Sequence, residues 1–279
     1  MISFLKASAL LALAAATPAS SQYVYNYHMF HDFRNHDAPT TEPARVNTDA
    51  ENAAATVQQG YLTDPAFTSD WRIQTWGSPV GPNAPYRKQY SNGNVYLQRD
   101  AASGLSHLIL RATRSDSFVS SGEIDTTLNN ILHASINVRA RIVGDPGACA
   151  GIFTYFNGEN ESDIEVLTHD PTNIIRYTNQ PGLDENGNEI PGASTRATML
   201  NGARWNEWHT HRLDWTPDLS SWYLDGQLAH TKTYGIPREP STIILNMWGD
   251  GGPLWTGEMA IGAAAYLEIE YIEIYYNLA

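Results

Sequence analysis

The chain has 279 residues, one cysteine, and 17 basic against 30 acidic side chains, a formal net charge of −13. These numbers exclude an intrachain disulfide and a cysteine-built zinc site, and they argue against nucleic acid or an anionic membrane as partner. The length suffices for a full hydrophobic core without covalent staples.

The first stretch, "MISFLKASALLALAAATPASSQ", carries one basic residue, Lys6, then an apolar run, then small residues. That order is the pattern of a secretory signal peptide, expected over residues 1–21 with cleavage between Ala16 and Ser21. The apolar run is too short and too rich in alanine for a spanning helix. Lys6 is its only charge, so its removal leaves 16 basic and 30 acidic side chains, a charge of −14. The C-terminal "YIEIYYNLA" offers no hydrophobic tail for an anchor. The expectation is a secreted, extracellular, monomeric protein without a membrane anchor.

Residues 22–279 read as one domain without internal repeats. Residues 35–60, "NHDAPTTEPARVNTDAENAAATVQQG", are polar and small and lack aromatics, which predicts a long loop or a loosely held arm. Strands are predicted next at "NVYLQRD", "SHLILRATR", "HASINVRARIV", "GIFTYF", "DIEVL" and "NIIRYTN". They continue at "THRLDW", "SWYLDGQLAH", "TIILNMW" and "AYLEIEYIEIYY". β-branched and aromatic residues dominate these runs. Asp225-Gly226 is the pair favoured in a tight hairpin. Many short strands and no long helical period predict an all-β fold, a large sandwich of two antiparallel sheets.

"NESDIEV", residues 160–166, places Glu161, Asp163 and Glu165 at alternate positions, with Glu159 upstream on the same parity. On a strand they share one face. Neighbours there stand ~7 Å apart, where an ionised pair costs roughly 2 kcal/mol at an effective dielectric of 20 and about 0.6 in water. A solvated row would be cheap, and Glu268 and Glu270 in the last strand are read as such. The 161–165 row differs in three ways. Ser162, Ile164 and Val166 suit a sheet-to-sheet core. Glu161 and Glu165 have Cα atoms ~13 Å apart, and leaning side chains can close most of that gap. Retaining glycoside hydrolysis needs two carboxyl groups about 5–5.5 Å apart. Asp163 between them can support a nucleophile and raise a neighbour's pKa. "GEIDTTLNN" repeats Glu-x-Asp at Glu123 and Asp125, but Thr127 stands third, so that stretch is read as strand and turn polarity.

Glu161-Ser162-Asp163-Ile164-Glu165 resembles the signature of glycoside hydrolase family 16, Glu-[Ile/Leu/Val]-Asp-Ile-Glu. The similarity extends to "IIRYTNQP" (174–181), to the tryptophan-rich "WNEWHTHRLDWTPDLSSWYLDGQ" (205–227) and to "ILNMWGDGGPLWTG" (244–257). It runs from about Phe30 to the C-terminus with 35–60 unmatched, and secreted fungal members look most similar. The resemblance implies a β-jelly-roll sandwich, a member of the concanavalin A-like lectin and glucanase group, with a substrate cleft across its concave face. It implies Glu161 as nucleophile, Glu165 as acid/base and Asp163 as their support. It places Tyr177 on a cleft tyrosine and Asn246 and Trp248 on a sugar-binding Asn-x-Trp pair, since tryptophan rings suit the C–H faces of sugars. Trp205, Trp208, Trp215 and Trp222 are expected in the core, and Trp255 is given no role. His209 and His211 are read as structural, and Cys149 as a buried filler. No cofactor is implied, and no side chain is marked as a metal ligand; a structural calcium held by backbone carbonyls is common in the family.

Two departures stand out. Ser162 occupies a place where the family has Ile or Leu, and a hydroxyl facing the core needs a partner. Glu159 stands where many members carry tryptophan. Asn160-Glu161-Ser162 is also the one Asn-x-Ser/Thr sequon of the chain, and Asn160 is expected unmodified. The reading is a retaining endo-β-glucanase acting on β-1,3- or mixed-linkage β-1,3/1,4-glucan. A transglycosylase with the same carboxylates and a non-catalytic lectin on the same fold are the alternatives.

Overall fold

The structure, a computed structural model, describes residues 23–279. The expected signal peptide lies outside them. The strand β1 (Tyr27–Asp32) is followed by two short helices, α1 (Asp49–Ala54) and α2 (Pro65–Thr68). Next come β2 (Trp71–Ile73), β3 (Gly77–Ser78), β4 (Arg87–Tyr90), β5 (Val95–Arg99), β6 (Ser106–Arg114), β7 (Phe118–Thr126) and β8 (Ile131–Gly144). The central strands are β9 (Cys149–Asn157), β10 (Asn160–Leu167), β11 (Ile174–Asn179) and β12 (Ser194–Thr198). The chain closes with β13 (His209–Trp215), β14 (Ser220–Leu224), β15 (Gln227–Lys232), β16 (Thr242–Trp248) and β17 (Ala264–Leu278).

Each stretch read as a strand from its alternation forms one. At Asp225 and Gly226 both φ angles are positive, 49° and 79°, so β14 and β15 join through the tight hairpin turn that Asp-Gly favours. The fold is a jelly-roll sandwich. One sheet runs β15-β14-β13-β8-β17, and the long β17 then pairs with β6 along its first half and β1 along its second. The other sheet runs β12-β11-β10-β9-β16-β7-β2. β7 changes sheets: its first residues pair with β4 and β6, and from Gly122 onward it lies beside β16. A Cβ at Gly122 would stand 2.6 Å from the Asn94 carbonyl oxygen, so the crossing point has no room for a side chain.

The two inner faces meet over a core that includes Ile136, Leu213, Trp215 and Trp222 from one sheet and Ile152, Ile164, Tyr177 and Leu245 from the other. Each aliphatic or aromatic side chain fully buried there contributes about 1.5–3 kcal/mol. The N–H groups of these two indoles are satisfied: Trp222 donates to the Asp163 carbonyl at 3.0 Å and Trp215 to that of Pro237 at 2.9 Å. Trp205, Trp215 and Trp222 are buried as expected. Trp208 is not. It is half-buried, packed on His107 at 4.8 Å with the Arg141 guanidinium 4.8 Å from its ring.

Residues 35–60 are irregular apart from α1, but they are not a loose arm. The fully buried Arg111 donates to the carbonyls of Pro43 (2.8 Å) and Ala44 (3.0 Å), and to Asn94 Oδ1 (2.9 Å). Arg45 donates to the Gly262 carbonyl, and Val46 is buried. A buried guanidinium needs acceptors, and this backbone supplies them. No helix among the described residues is long and apolar enough to cross a membrane.

Candidate active site

The β10 residues divide by parity as the alternation predicts. Ser162, Ile164 and Val166 are buried against the other sheet, while Glu161, Asp163 and Glu165 line a cleft of about 420 Å³ on the opposite face. The Ser162 hydroxyl donates to Asn179 Oδ1 at 2.6 Å, and Asn179 donates in turn to Ser220 Oγ and the Tyr234 carbonyl. The polar departure in the core is thus satisfied.

Glu159 does not extend the acid row. β9 and β10 are joined by a turn in which Asn157 Oδ1 accepts from the backbone N–H groups of Glu159 and Asn160. The register shifts between Asn160 and Glu161, and Glu159 is exposed outside the cleft lining. The irregularity breaks the period of two on which its inclusion rested.

Strand register sets the rest of the floor in transverse rows. Glu161 lies opposite Tyr155, and Tyr155 opposite Thr242. Asp163, Phe153, Ile244 and Asp125 form the next row; Glu165, Gly151, Asn246 and Glu123 form the third. A Cβ at Gly151 would stand 2.7 Å from Asn246 Oδ1, so glycine is what lets that amide lean toward β9.

Glu123 and Asp125 are therefore cleft residues, which corrects their reading as strand and turn polarity. Glu123 is buried and accepts from Trp76 Nε1 at 2.7 Å and Asn246 Nδ2 at 3.0 Å. Asp125 accepts from Gln74 Nε2 at 2.8 Å. Burial and the charge of Glu123 push the Asp125 carboxyl up to about 7. The visible signal was the shared Glu-x-Asp spacing; the hidden fact was that β7 enters the cleft sheet at Gly122.

Asn246 and Trp248 line the cleft, as the resemblance implied. Asn246 is buried, with its Oδ1 lacking a donor among the described residues. The Lys88 ammonium lies 4.2 Å from the centre of the Trp248 ring and 5.2 Å from that of Trp76. Burial lowers the Lys88 pKa, and the charge of Glu123 opposes that shift. Trp76, Lys88 and Tyr90 were not legible as site residues. Trp76 comes from the link between β2 and β3, and Lys88 and Tyr90 from the short strand β4, none of them with a distinguishing motif.

Tyr177 faces the other way. It pairs with Ile164, so it shares that residue's core side, and its ring stacks on Trp222 at 5.4 Å. It does not line the cleft. The β11 residue beside the acids is Arg176, paired with Glu165.

Burial raises all three β10 carboxyls. Glu161 rises to about 7, with the Glu165 charge adding to the effect. Asp163 is pushed well above its ordinary range by burial and by the charges of Glu161 and Glu165. Glu165 is raised by burial, while hydrogen bonds from Cys149 and Trp255 and the charge of Arg176 pull it down. Three like charges in one dry row titrate as a unit, and the row retains protons at a pH where isolated carboxyls would not. Such a row can hold one carboxylate as nucleophile and another as acid. Glu165 Oε1 accepts from Trp255 Nε1 at 3.1 Å, which gives that tryptophan a place in the site. Cys149 is buried as expected, but its Sγ stands 3.3 Å from the same oxygen. His209 and His211 are remote from the cleft, and His209 bonds Asp225 at 2.7 Å. Among the described residues no group of three or more His, Cys, Asp or Glu side chains is placed to hold a metal ion.

This fold has known counterparts. The β-glucanase of Bacillus subtilis is 30% identical over 214 residues, covering 69% of this chain and 84% of that protein. The solved β-glucanase of Bacillus licheniformis superposes with a TM-score of 0.57 at 24% identity, covering 76% of this chain and 94% of its own. The laminarinase catalytic domain of Thermotoga maritima gives 0.59 at 20% identity, over 79% and 96%. The family model for glycosyl hydrolases family 16 matches residues 83–272, a span from the approach to β4 into β17 that contains the whole acid row. By sequence and by fold, the chain belongs to glycosyl hydrolases family 16.

Proposed function

We propose that the protein is a secreted, retaining endo-β-glucanase that cleaves β-1,3- or mixed-linkage β-1,3/1,4-glucans. The observation that carries this reading is the alternation of Glu161, Asp163 and Glu165 on the cleft side of β10, with the strand's other face locked in the core. The β-glucanase and laminarinase names of its relatives support the substrate class. The signal-like N-terminal sequence supports secretion.

In the first step the Glu161 carboxylate attacks the anomeric carbon while the glycosidic C–O bond breaks. Glu165 delivers a proton to the departing oxygen, and a covalent glycosyl-enzyme forms. In the second step Glu165 takes a proton from water, whose oxygen attacks the same carbon and releases Glu161. Asp163 keeps the row's charge low and holds the nucleophile in place. Asn246, Glu123, Lys88 and Trp248 supply hydrogen-bonding groups and an aromatic surface along the bound chain.

Glu161→Gln tests the assignment. Turnover of laminarin or lichenan is expected to fall on the order of 10³-fold or more, while retardation of the variant in glucan-containing gels persists. A wild-type protein that binds these glucans and never cleaves them contradicts the reading.

A further inference from the structure

Glu165 is held asymmetrically. Its Oε1 receives the Trp255 indole N–H at 3.1 Å and the Cys149 thiol at 3.3 Å. The two donors come from different segments on the β9 side of the strand: Cys149 from β9 itself, and Trp255 from the loop after β16. That loop is fixed in its turn. Asp250 Oδ1 accepts from the Gly252 N–H at 2.9 Å and from the Thr256 hydroxyl at 2.8 Å, and the Trp255 N–H bonds the Gly252 carbonyl at 3.0 Å. His169, just past β10, meets the Thr256 carbonyl at 3.0 Å. The Arg176 guanidinium lies 5.0 Å from the centre of the Trp255 ring and is anchored on Asp170 at 2.9 Å. The indole is thus gripped by its own loop and by a stacked cation from β11.

An indole nitrogen can only donate. The oxygen facing it must act as an acceptor in both protonation states of Glu165, which is the role of the carbonyl oxygen of a carboxylic acid. The acid proton then belongs to the other oxygen, Oε2. We propose that Trp255, seconded by Cys149, is a positioning residue for Glu165: by occupying Oε1 it assigns the transferable proton to Oε2 and fixes the direction of proton delivery to the leaving oxygen. The inference rests on the acid/base role given to Glu165 above. The charged or titratable groups around Glu165 are Glu161 and Asp163 on its own strand, Cys149 on β9 and Arg176 on β11. Both Trp255 and Cys149 donate to Glu165, and neither is hydrogen-bonded to the proposed nucleophile Glu161. Their removal weakens protonation of the leaving group and spares attack at the anomeric carbon.

Leaving-group dependence reads this directly. The substrates are aryl β-glycosides of the shortest glucan oligosaccharide that the wild type cleaves, with 2,4-dinitrophenyl and unsubstituted phenyl leaving groups. Dinitrophenolate departs without a proton, whereas phenolate requires one. General acid catalysis supplies roughly 10²–10⁴-fold. For Trp255→Phe, kcat/KM on the phenyl glycoside is expected to drop at least tenfold, against less than about threefold on the dinitrophenyl glycoside. Cys149→Val is expected to shift the ratio in the same direction by a smaller factor. Turnover of the dinitrophenyl substrate also reports that each variant is folded. Equal losses on both substrates, or no loss on the phenyl glycoside, overturn the proposal. Glu165→Gln is the reference: if it discriminates strongly and Trp255→Phe does not, the clamp fails and the acid assignment stands. If Glu165→Gln loses both substrates alike, the acid assignment fails and the clamp falls with it.

Discussion

Glu165 and Glu123 face the same cleft from the two ends of one transverse row, with Gly151 and Asn246 between them. Three strand spacings of ~4.8 Å separate their backbones. The row therefore runs across the sheet, with the acid row on β10 at one end and a hydrogen-bonded cluster of Glu123, Trp76 and Asn246 at the other. That division predicts a division of kinetic effect. Glu123→Gln replaces a charged acceptor beside Lys88 with a neutral amide, far from the reacting bond. KM for glucan is expected to rise roughly tenfold with a much smaller change in kcat. Initial-rate kinetics on the preferred glucan check this, and an unchanged KM with a collapsed kcat contradicts it.

Ser162 carries a stability prediction. Its hydroxyl is the donor to the buried Asn179 Oδ1. Ser162→Ala leaves that oxygen without its partner and is expected to destabilise the fold by about 1–3 kcal/mol. Denaturant unfolding measures it. A variant as stable as the wild type would show that the amide repairs its bonding elsewhere.

Fold class and the catalytic parity were legible in the sequence, because both rest on a period of two that survives from Glu161 to Val166. Facts set by register between strands were not. Tyr177 was placed in the cleft by resemblance, yet pairing with Ile164 turns it to the core and brings Arg176 to the acid side. Glu123 and Asp125 read locally as ordinary strand polarity, since nothing near them tells which sheet β7 enters after Gly122. Trp255 sits 90 positions from Glu165 in the chain, and only the closed loop around Asp250 brings its indole to the carboxylate. Glu159 failed for the converse reason, a local register shift between Asn160 and Glu161 that interrupts the alternation.

His211 makes stability depend on pH. It is buried, and burial, with the neighbouring His209 adding, lowers its pKa to about 4. The folded state thus favours the neutral ring, while the unfolded chain takes up a proton near the ordinary histidine value of about 6.5. The unfolded state binds more protons between these values, so this group's contribution is full above ~6.5 and is lost as pH falls toward ~4. Glu161 and Asp125, both raised to about 7, act with the opposite sign. Comparing wild type with His211→Leu cancels them. The stability of the wild type relative to the variant is expected to fall by on the order of 3 kcal/mol from pH 6.5 to 4. Parallel stability curves across that range would show that His211 titrates normally in the fold.

The sequon at Asn160 is expected to be empty in active protein. Its side-chain amide already donates to Asn157 Oδ1 at 3.1 Å and accepts from the Arg238 N–H at 2.9 Å, one residue from the proposed nucleophile. Attachment of a glycan would compete with the first of these bonds at the end of the cleft. Intact-mass measurement of secreted protein before and after deglycosylation checks it. Full occupancy in active material contradicts it.

The retaining assignment is tested most directly by proton NMR of the reducing ends released in the first minutes of glucan hydrolysis, before mutarotation. Laminarin and lichenan serve as substrates. The proposed roles of Glu161 and Glu165 predict internal cleavage with β-anomeric products appearing first and the α-anomer growing in later. Initial release of the α-anomer, or no new reducing ends from either glucan, would contradict the account.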